Sequence, residues 1–327
     1  MVTSKYIRLS NSSTNTLETC GEYYRLFYIE RLRTKTLNSA LFFGGALDLA
    51  FNELLMEKHI LTPVSPEKAL ENCLEAFKKG MTQVDVNGTV VDPFEYEHTQ
   101  YSKADLDCRL LNLDQRSIDW IEEYQANLKI RGFKPESADK AAYNKLCYES
   151  LWKKGEMLIE HYRLEIMPKI DKVIEVQKKV ELPNENGDML TGVIDAVVQF
   201  VGDATPTVVD NKTSSKPYKE SELYESKQLA TYAEYMKNYQ VAYIVVEKEI
   251  RKKEPMIRSQ ILKGTLTEEH IVKVFEQYEL SLEKIRKEEF DKNESKCYNL
   301  YGKPCQYVRY CKFGTIDSTL TQLEKKV

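Results

Sequence analysis

The chain has 327 residues, 42% of them hydrophobic and 30% charged, with a formal net charge of −4. That length can bury one large core or two modest ones, and the lack of any apolar run of about eighteen residues or of a cationic leader predicts a cytoplasmic protein with no membrane partner. The slightly acidic balance excludes a chain that coats a polyanion over its whole surface, and seven cysteines, an odd number, exclude a fully paired disulfide framework in a reducing compartment.

Residues 1–62 open polar and run into an aromatic helix, with Tyr23, Tyr24, Phe27, Tyr28 and Leu32 at helical spacing behind Cys20. A second helix over 41–56 has Gly44 and Gly45 near its start, where missing side chains permit close approach, and an apolar face of Ala46, Leu47, Ala50, Phe51, Leu54 and Leu55. Residues 63–172 read as an almost wholly helical insertion, with helices over 66–81, 117–130 and 138–169 and a loop at Asn87-Gly88. In it Trp120, Leu146, Leu151, Trp152, Leu158 and Tyr162 recur at three- and four-residue steps, a core-packing pattern, and Cys73, Cys108 and Cys147 read as small buried apolar side chains. The strand signals begin at 173. Within 173–262, strands are predicted over 173–182 and 189–200, on either side of the turn sequence 184–188, and over 207–211, 240–247 and 256–262, with one helix over 219–238 among them. Residues 263–327 form a helix to about 289, with a capping box in its Thr265-Leu266-Thr267-Glu268 start, and then a cysteine-bearing tail.

Asp210 and Lys212, one residue apart in Val208-Val209-Asp210-Asn211-Lys212, project the same way from a strand. Asp195 ends another apolar strand, Gly192-Val193-Ile194-Asp195, so both carboxylates ride on strands that otherwise look buried, and a buried carboxylate needs a partner. Hard oxygen donors beside a fixed cation are what metal-dependent phosphodiester cleavage requires. In that reading Asp195, Asp210 and the Asn211 backbone carbonyl hold Mg²⁺ or Mn²⁺, while Lys212 orients water and offsets phosphate charge. Taken alone, an Asp-x-Lys pair is also what a plain surface salt bridge looks like. The neighbouring Lys216, Lys219 and Lys227 form a candidate phosphate track.

The ordered set "GVIDAVVQF", "TVVDNKTSSKPY" and "KQLATYAEY" resembles the PD-(D/E)xK nuclease superfamily and, within it, the RecB-type exonuclease branch that includes CRISPR-adaptation and bacteriophage nucleases. The resemblance implies an α/β fold with a restriction-endonuclease-like αβββαβ core carrying the large helical insertion. It further implies Asp195 and Asp210 as metal ligands, Lys212 as the catalytic lysine, and Gln228 and Tyr232 as DNA-side or scaffold residues of the last motif. Where members often have a histidine one turn into the second helix, this chain has Asp48, another hard ligand, which the resemblance places at the metal. His59, His98, His161 and His270 fall in none of these motifs.

Cys297, Cys305 and Cys311 lie in a tail where Gly302 and Pro304 supply the bends that let three thiols converge, and Cys20 is the fourth candidate. Four soft thiolates suit zinc or an iron–sulfur cluster. One cysteine before the core and three after it resembles the iron–sulfur members of the RecB-type branch, which implies a [4Fe-4S] cluster, with Zn²⁺ as the alternative, joining the two ends of the chain. Together these features predict a metal-dependent DNA nuclease, an exonuclease or single-strand-specific enzyme that works through metal-activated water. The alternative is a non-catalytic nucleic-acid-binding module or a structural subunit of a helicase–nuclease complex. The chain has no Gly-x-x-x-x-Gly-Lys-[Ser/Thr] motif, so a helicase or recombination motor would be a separate partner.

Overall fold

The structure, a computed structural model, describes residues 6–130, 132–248, 257–298, 304–316 and 318–323. A short strand β1 (Arg8–Ser10) leads directly into helix α1 (Asn11–Thr19), followed by helices α2 (Ser39–Leu55), α3 (Pro66–Thr82), α4 (Gln115–Asn127) and α5 (Ser137–His161). Strands β2 (Ile170–Pro183), β3 (Met189–Phe200) and β4 (Thr207–Ser214) come next, then helix α6 (Lys227–Met236), strands β5 (Gln240–Glu247) and β6 (Ser259–Thr265), and helix α7 (Glu268–Arg286). The protein is therefore a mixed α/β chain.

The six strands form one mixed sheet in which β3 is the hub. Along one edge β3 pairs antiparallel with β2 over its whole length. Its other edge is shared: Met189–Thr191 pair parallel with β1, and Ala196–Val198 pair antiparallel with β4. Residues 192–195 lie in the gap between those two partners. Next to β4 stands β5, parallel to it, and β6 closes the edge antiparallel.

Both faces of the sheet are covered, which is why β5 reads as an unbroken apolar run. Ala242, Ile244 and Val246 join the core under α2, α3 and α5, while Val241, Tyr243 and Val245 join the core under α1, α6 and α7. On β4, Val208 belongs to the second core and Val209 to the first. Strict alternation then turns Asp210 and Lys212 toward α6 and Asn211 toward α2 and α5. On β3 the alternation slips by one residue at Asp195, since Ile194 lies in the α6 core and Ala196 in the α2 core. Across the pair, Gln177 takes a left-handed φ of 52°, a local kink that re-aims side chains at the gap.

Several elements differ from the sequence reading. The aromatic segment is not one helix: α1 stops at Cys20, a π-helical turn occupies Arg25–Ile29, and the strand Leu32–Thr34 pairs with Leu320–Gln322. Within 63–172 the Asn87-Gly88 loop is the tip of a β-hairpin, Val84–Val86 with Thr89–Val91, since both residues adopt positive φ. The helix expected over 219–238 is split, Glu220–Tyr224 and then α6, with Ser226 capping α6 through Leu229 N at 3.1 Å. The strand expected over 256–262 is Ser259–Thr265, and its expected start at Met256 lies outside the described residues. The capping box of α7 is formed by Thr267 with His270 rather than from Thr265. Cys73 and Cys147 are buried as expected, whereas Cys108 is half-exposed.

Helix α2 is long and apolar enough to cross a membrane, but 56% of that window is buried within the protein, as befits the central helix of the larger core. Close approach in that core does not come from Gly44 or Gly45. A methyl group at Gly44 would meet only Thr213 Oγ1, at 3.8 Å, and at Gly45 nothing within 4 Å. It comes from Gly80 of α3, where a methyl group would sit 2.6 Å from the Ala46 Cα of α2. Gly80→Ala should therefore lower the urea midpoint, with overpacking costing about 1–3 kcal/mol, although alanine is the better helix former by about 1 kcal/mol. A midpoint at or above that of the wild type would show that the two helices part freely.

Candidate active site

The gap in the sheet is where the acidic and basic side chains gather. Asp210, 1% exposed, lies beside Lys212, whose Nζ is 2.5 Å from Asp210 Oδ2. The first turn of α6 places Gln228 over them. Its Nε2 donates to Asp210 Oδ1 at 3.0 Å and to the Tyr232 hydroxyl at 2.9 Å, and its Oε1 accepts from Lys212 Nζ at 3.4 Å. One amide thus bridges the carboxylate and the ammonium, giving an N–H to the first and its carbonyl oxygen to the second. The start of α6 is anchored to β5 by Tyr243, whose hydroxyl donates to Ser226 Oγ at 2.6 Å. Tyr232, one turn further on, lies against Gly192 of β3, where a Cβ would stand 2.8 Å from Tyr232 Cε1. That contact explains the glycine of the Gly-x-x-Asp stretch.

Asp195 reaches across the gap, its Oδ2 accepting the Asn211 backbone N–H at 2.7 Å. Asp48 approaches from α2. Burial pushes the Asp48 carboxyl up, and the charge of Asp210 pushes it further, against Lys212 and the Asn52 amide. Asp195 is raised from about 3.8 to about 9, by burial first and then by Asp210 and Asp48. Asp210 is also raised by burial, with Lys212 opposing. Burial pulls the Lys212 ammonium down, but the Asp210 carboxylate outweighs it and keeps the lysine charged. Three carboxylates therefore press on one another around a single lysine, an arrangement that a divalent cation relieves.

The donor set fits such a cation. All the oxygens are hard, as Mg²⁺ and Mn²⁺ prefer, and the wholly buried Asp210 Oδ2 accepts no well-aligned hydrogen bond. Among the described residues, no three His, Cys, Asp or Glu side chains are drawn in to the spacing of a single ion's ligands. Beside the carboxylates opens a cleft of about 230 Å³, walled by Thr191, Gly192, Gln228 and Tyr232 and by the first turn of α1. Of the proposed phosphate track, Lys216 and Lys219 are exposed, while Lys227 is ion-paired with Glu18. The histidines do other work: His161 contacts Ser259 at 2.9 Å and His270 caps α7.

Far from that cleft, Cys20, Cys297, Cys305 and Cys311 line one cavity of about 210 Å³. The Asn293 N–H points at Cys20 Sγ, 3.4 Å away, and the Cys305 N–H donates to the Cys297 carbonyl at 2.7 Å. Burial pushes up the Cys305 thiol; burial, then Glu22 and Cys305, push Cys311 up to about 11. Gly302, one of the two expected bends, lies outside the described residues.

Two side chains at the centre escaped the sequence reading. Tyr162, taken as core packing, is fully buried but donates its hydroxyl to Asn211 Oδ1 at 3.1 Å. Asn52, one turn beyond Asp48, is buried, its amide acting on the Asp48 carboxyl without a well-aligned hydrogen bond. The available signal was the same for both: a polar group at an apolar helix position needs a partner.

Comparison with known proteins accords with this geometry. A family model described as the PD-(D/E)XK nuclease superfamily matches residues 8–312, and the chain belongs to that superfamily. With membership come a nuclease's hydrolytic chemistry, a nucleic-acid substrate and, as is usual in the superfamily, Mg²⁺ or Mn²⁺. No curated protein matches the chain. Among solved structures, one described as "Crystal structure of SSO0001" is similar over 55% of this chain and 79% of its own, at 16% identity and a TM-score of 0.25, too low to argue from.

The crowding has a measurable consequence. Because the Asp195 carboxyl is raised in the folded state, its contribution to stability is complete at low pH and is lost as pH rises between its unfolded and folded values, from about 4 to about 9. In EDTA, Asp195→Asn should melt above the wild type, by a margin that widens with pH across that window. A margin independent of pH would show that Asp195 is ionised without penalty.

Proposed function

We propose that the protein is a metal-dependent DNA nuclease of the RecB-type branch, acting as an exonuclease or on single strands. The observation that carries this reading is the Gln228 amide held between Asp210 and Lys212, with Asp195 facing them across the gap in the sheet. A fold kept only for binding has no use for three carboxylates crowded into a buried gap around one lysine. This favours catalysis over the non-catalytic alternative.

In this reading Asp48, Asp195, Asp210 and the Asn211 carbonyl would hold the divalent ion, which when bound would supply positive charge at the phosphate and acidify water. The chain's own groups do the rest. Lys212, part-exposed beside the buried Asp210, presents a fixed ammonium toward the phosphate. Gln228 keeps that ammonium and Asp210 in register, and Tyr232, seated on Gly192, holds Gln228 in place. Such prearranged charge costs no reorganisation as negative charge builds on the phosphate. The strand enters along the 230 Å³ cleft between Gln228 and the first turn of α1, and a helicase or recombination motor, if used, is a separate chain.

For the cysteine cavity we favour a [4Fe-4S] cluster over Zn²⁺. The four thiols line one cavity, shared with Tyr23, Asn293 and Tyr307, and one cysteine before the core with three after it is the arrangement that resembles the iron–sulfur members of the branch. Four cysteine ligands are what a [4Fe-4S] cluster takes. A cluster there closes a loop from residue 20 to residue 311, restricting the unfolded chain.

Purified protein should degrade 5′- and 3′-labelled DNA with Mn²⁺ or Mg²⁺, and Asp210→Ala or Lys212→Ala should reduce the rate at least roughly 100-fold while leaving circular dichroism unchanged. Undiminished cleavage in both variants would remove the site from these residues. Protein prepared without oxygen should be brown and contain iron, and Cys305→Ser should bleach it; a colourless protein with stoichiometric zinc would replace the cluster with the metal ion.

A further inference from the structure

Tyr162 opens the π-helical turn Tyr162–Ile166 that ends α5, a helix belonging to the long stretch between α2 and β2. Such turns insert a residue into the helical repeat and re-aim side chains, often at functional sites. Its ring stacks on Phe51 of α2, centroids 4.2 Å apart and planes 14° from parallel. Phe51 is three residues from Asp48 on the same helix. The hydroxyl donates to Asn211 Oδ1 at 3.1 Å, and Asn211 sits between Asp210 and Lys212, its own N–H donating to Asp195 Oδ2 at 2.7 Å.

A phenylalanine would stack on Phe51 equally well, so packing does not account for the hydroxyl. Asn211 does account for it. The Asn211 side chain points to the face opposite Asp210 and Lys212, its Nδ2 is buried without a partner, and the tyrosine hydroxyl is the contact that sets its amide. Without that hydroxyl, both ends of a buried amide are unsatisfied, and the strand segment that presents its N–H to Asp195 is free to shift. One side chain therefore touches both carriers of the acidic centre: the helix of Asp48 through its ring, and the strand of Asp210 through its hydroxyl.

We infer that Tyr162 is a positioning residue for the carboxylate centre, holding Asn211 so that Asp195 is correctly aimed and registering α2 so that Asp48 meets it. The inference rests on the metal-nuclease reading above. By this route the helical segment 137–169 acts on the centre through one buried contact.

The experiment is a Mn²⁺ titration without DNA, read by the electron-paramagnetic signal of free Mn²⁺, on the wild type, Tyr162→Phe, Asn211→Ala and the double variant, with melting temperatures in EDTA alongside. Tyr162→Phe should weaken Mn²⁺ binding roughly 10-fold, as removal of a group that orients ligands does, with the melting temperature lowered by only a few degrees, the cost of the unsatisfied amide. The double variant should bind no more weakly than Asn211→Ala alone, because the two side chains act as one unit. Wild-type affinity in Tyr162→Phe, additive losses in the double variant, or a loss of binding matched by collapse of the melting temperature would each overturn the inference. A wild-type protein whose Mn²⁺ binding is absent or indifferent to Asp210→Asn would remove the metal site itself and the inference with it.

Discussion

The structure turns on one electrostatic constraint: Asp210 is buried at the point where β3 parts from β1 and β4, with Asp195 and Asp48 close enough to feel its charge. An isolated carboxylate in such a place would simply take up a proton. Lys212 resists that from one side and the Gln228 amide from another. The surrounding elements can be read as what keeps those two in place. Ser226 and Tyr243 fix the start of α6, Gly192 gives Tyr232 room, and β4 runs between two cores so that its alternate residues serve opposite faces.

The same logic connects the site to the ends of the chain. Helix α1 has its first turn in the wall of the cleft beside Gln228 and its last residue next to Cys20. The Leu32–Thr34 strand pairs with Leu320–Gln322, and Tyr307, fully buried, donates to the Leu32 carbonyl at 2.6 Å. Whatever holds the cysteine cavity together therefore also steadies one wall of the cleft. Surface burial there is modest, since the cluster around Leu26, Leu32, Tyr307 and Leu320 is small.

What was legible in the sequence was polarity out of place. Asp195, Asp210 and Lys212 interrupt apolar strand runs, and Gln228 and Tyr232 share a helix face, but each pair alone also reads as a surface salt bridge or an amphipathic helix, and only their order along the chain, with the family resemblance it carries, singled them out. What was illegible depended on partners distant in sequence. Arg8-Leu9-Ser10 is too short to show a strand period, yet it pairs with β3 because Leu9 is buried there. Close approach was expected at Gly44 and Gly45 of α2, with no partner named, while the missing side chain that permits it is Gly80 on α3, facing Ala46. Tyr162 looked like core because it is core; its hydroxyl matters only once Asn211, folded in from another element, lies beside it.

The central claim is that Asp48, Asp195 and Asp210 are brought together to hold a divalent cation against a phosphate. The most direct measurement is anomalous diffraction at the manganese edge from crystals of the protein grown with Mn²⁺. The account predicts an anomalous peak bounded by these three carboxylates and the Asn211 carbonyl, with Lys212 beside it. Manganese bound only elsewhere, or no peak there at full Mn²⁺ occupancy of other sites, would contradict it.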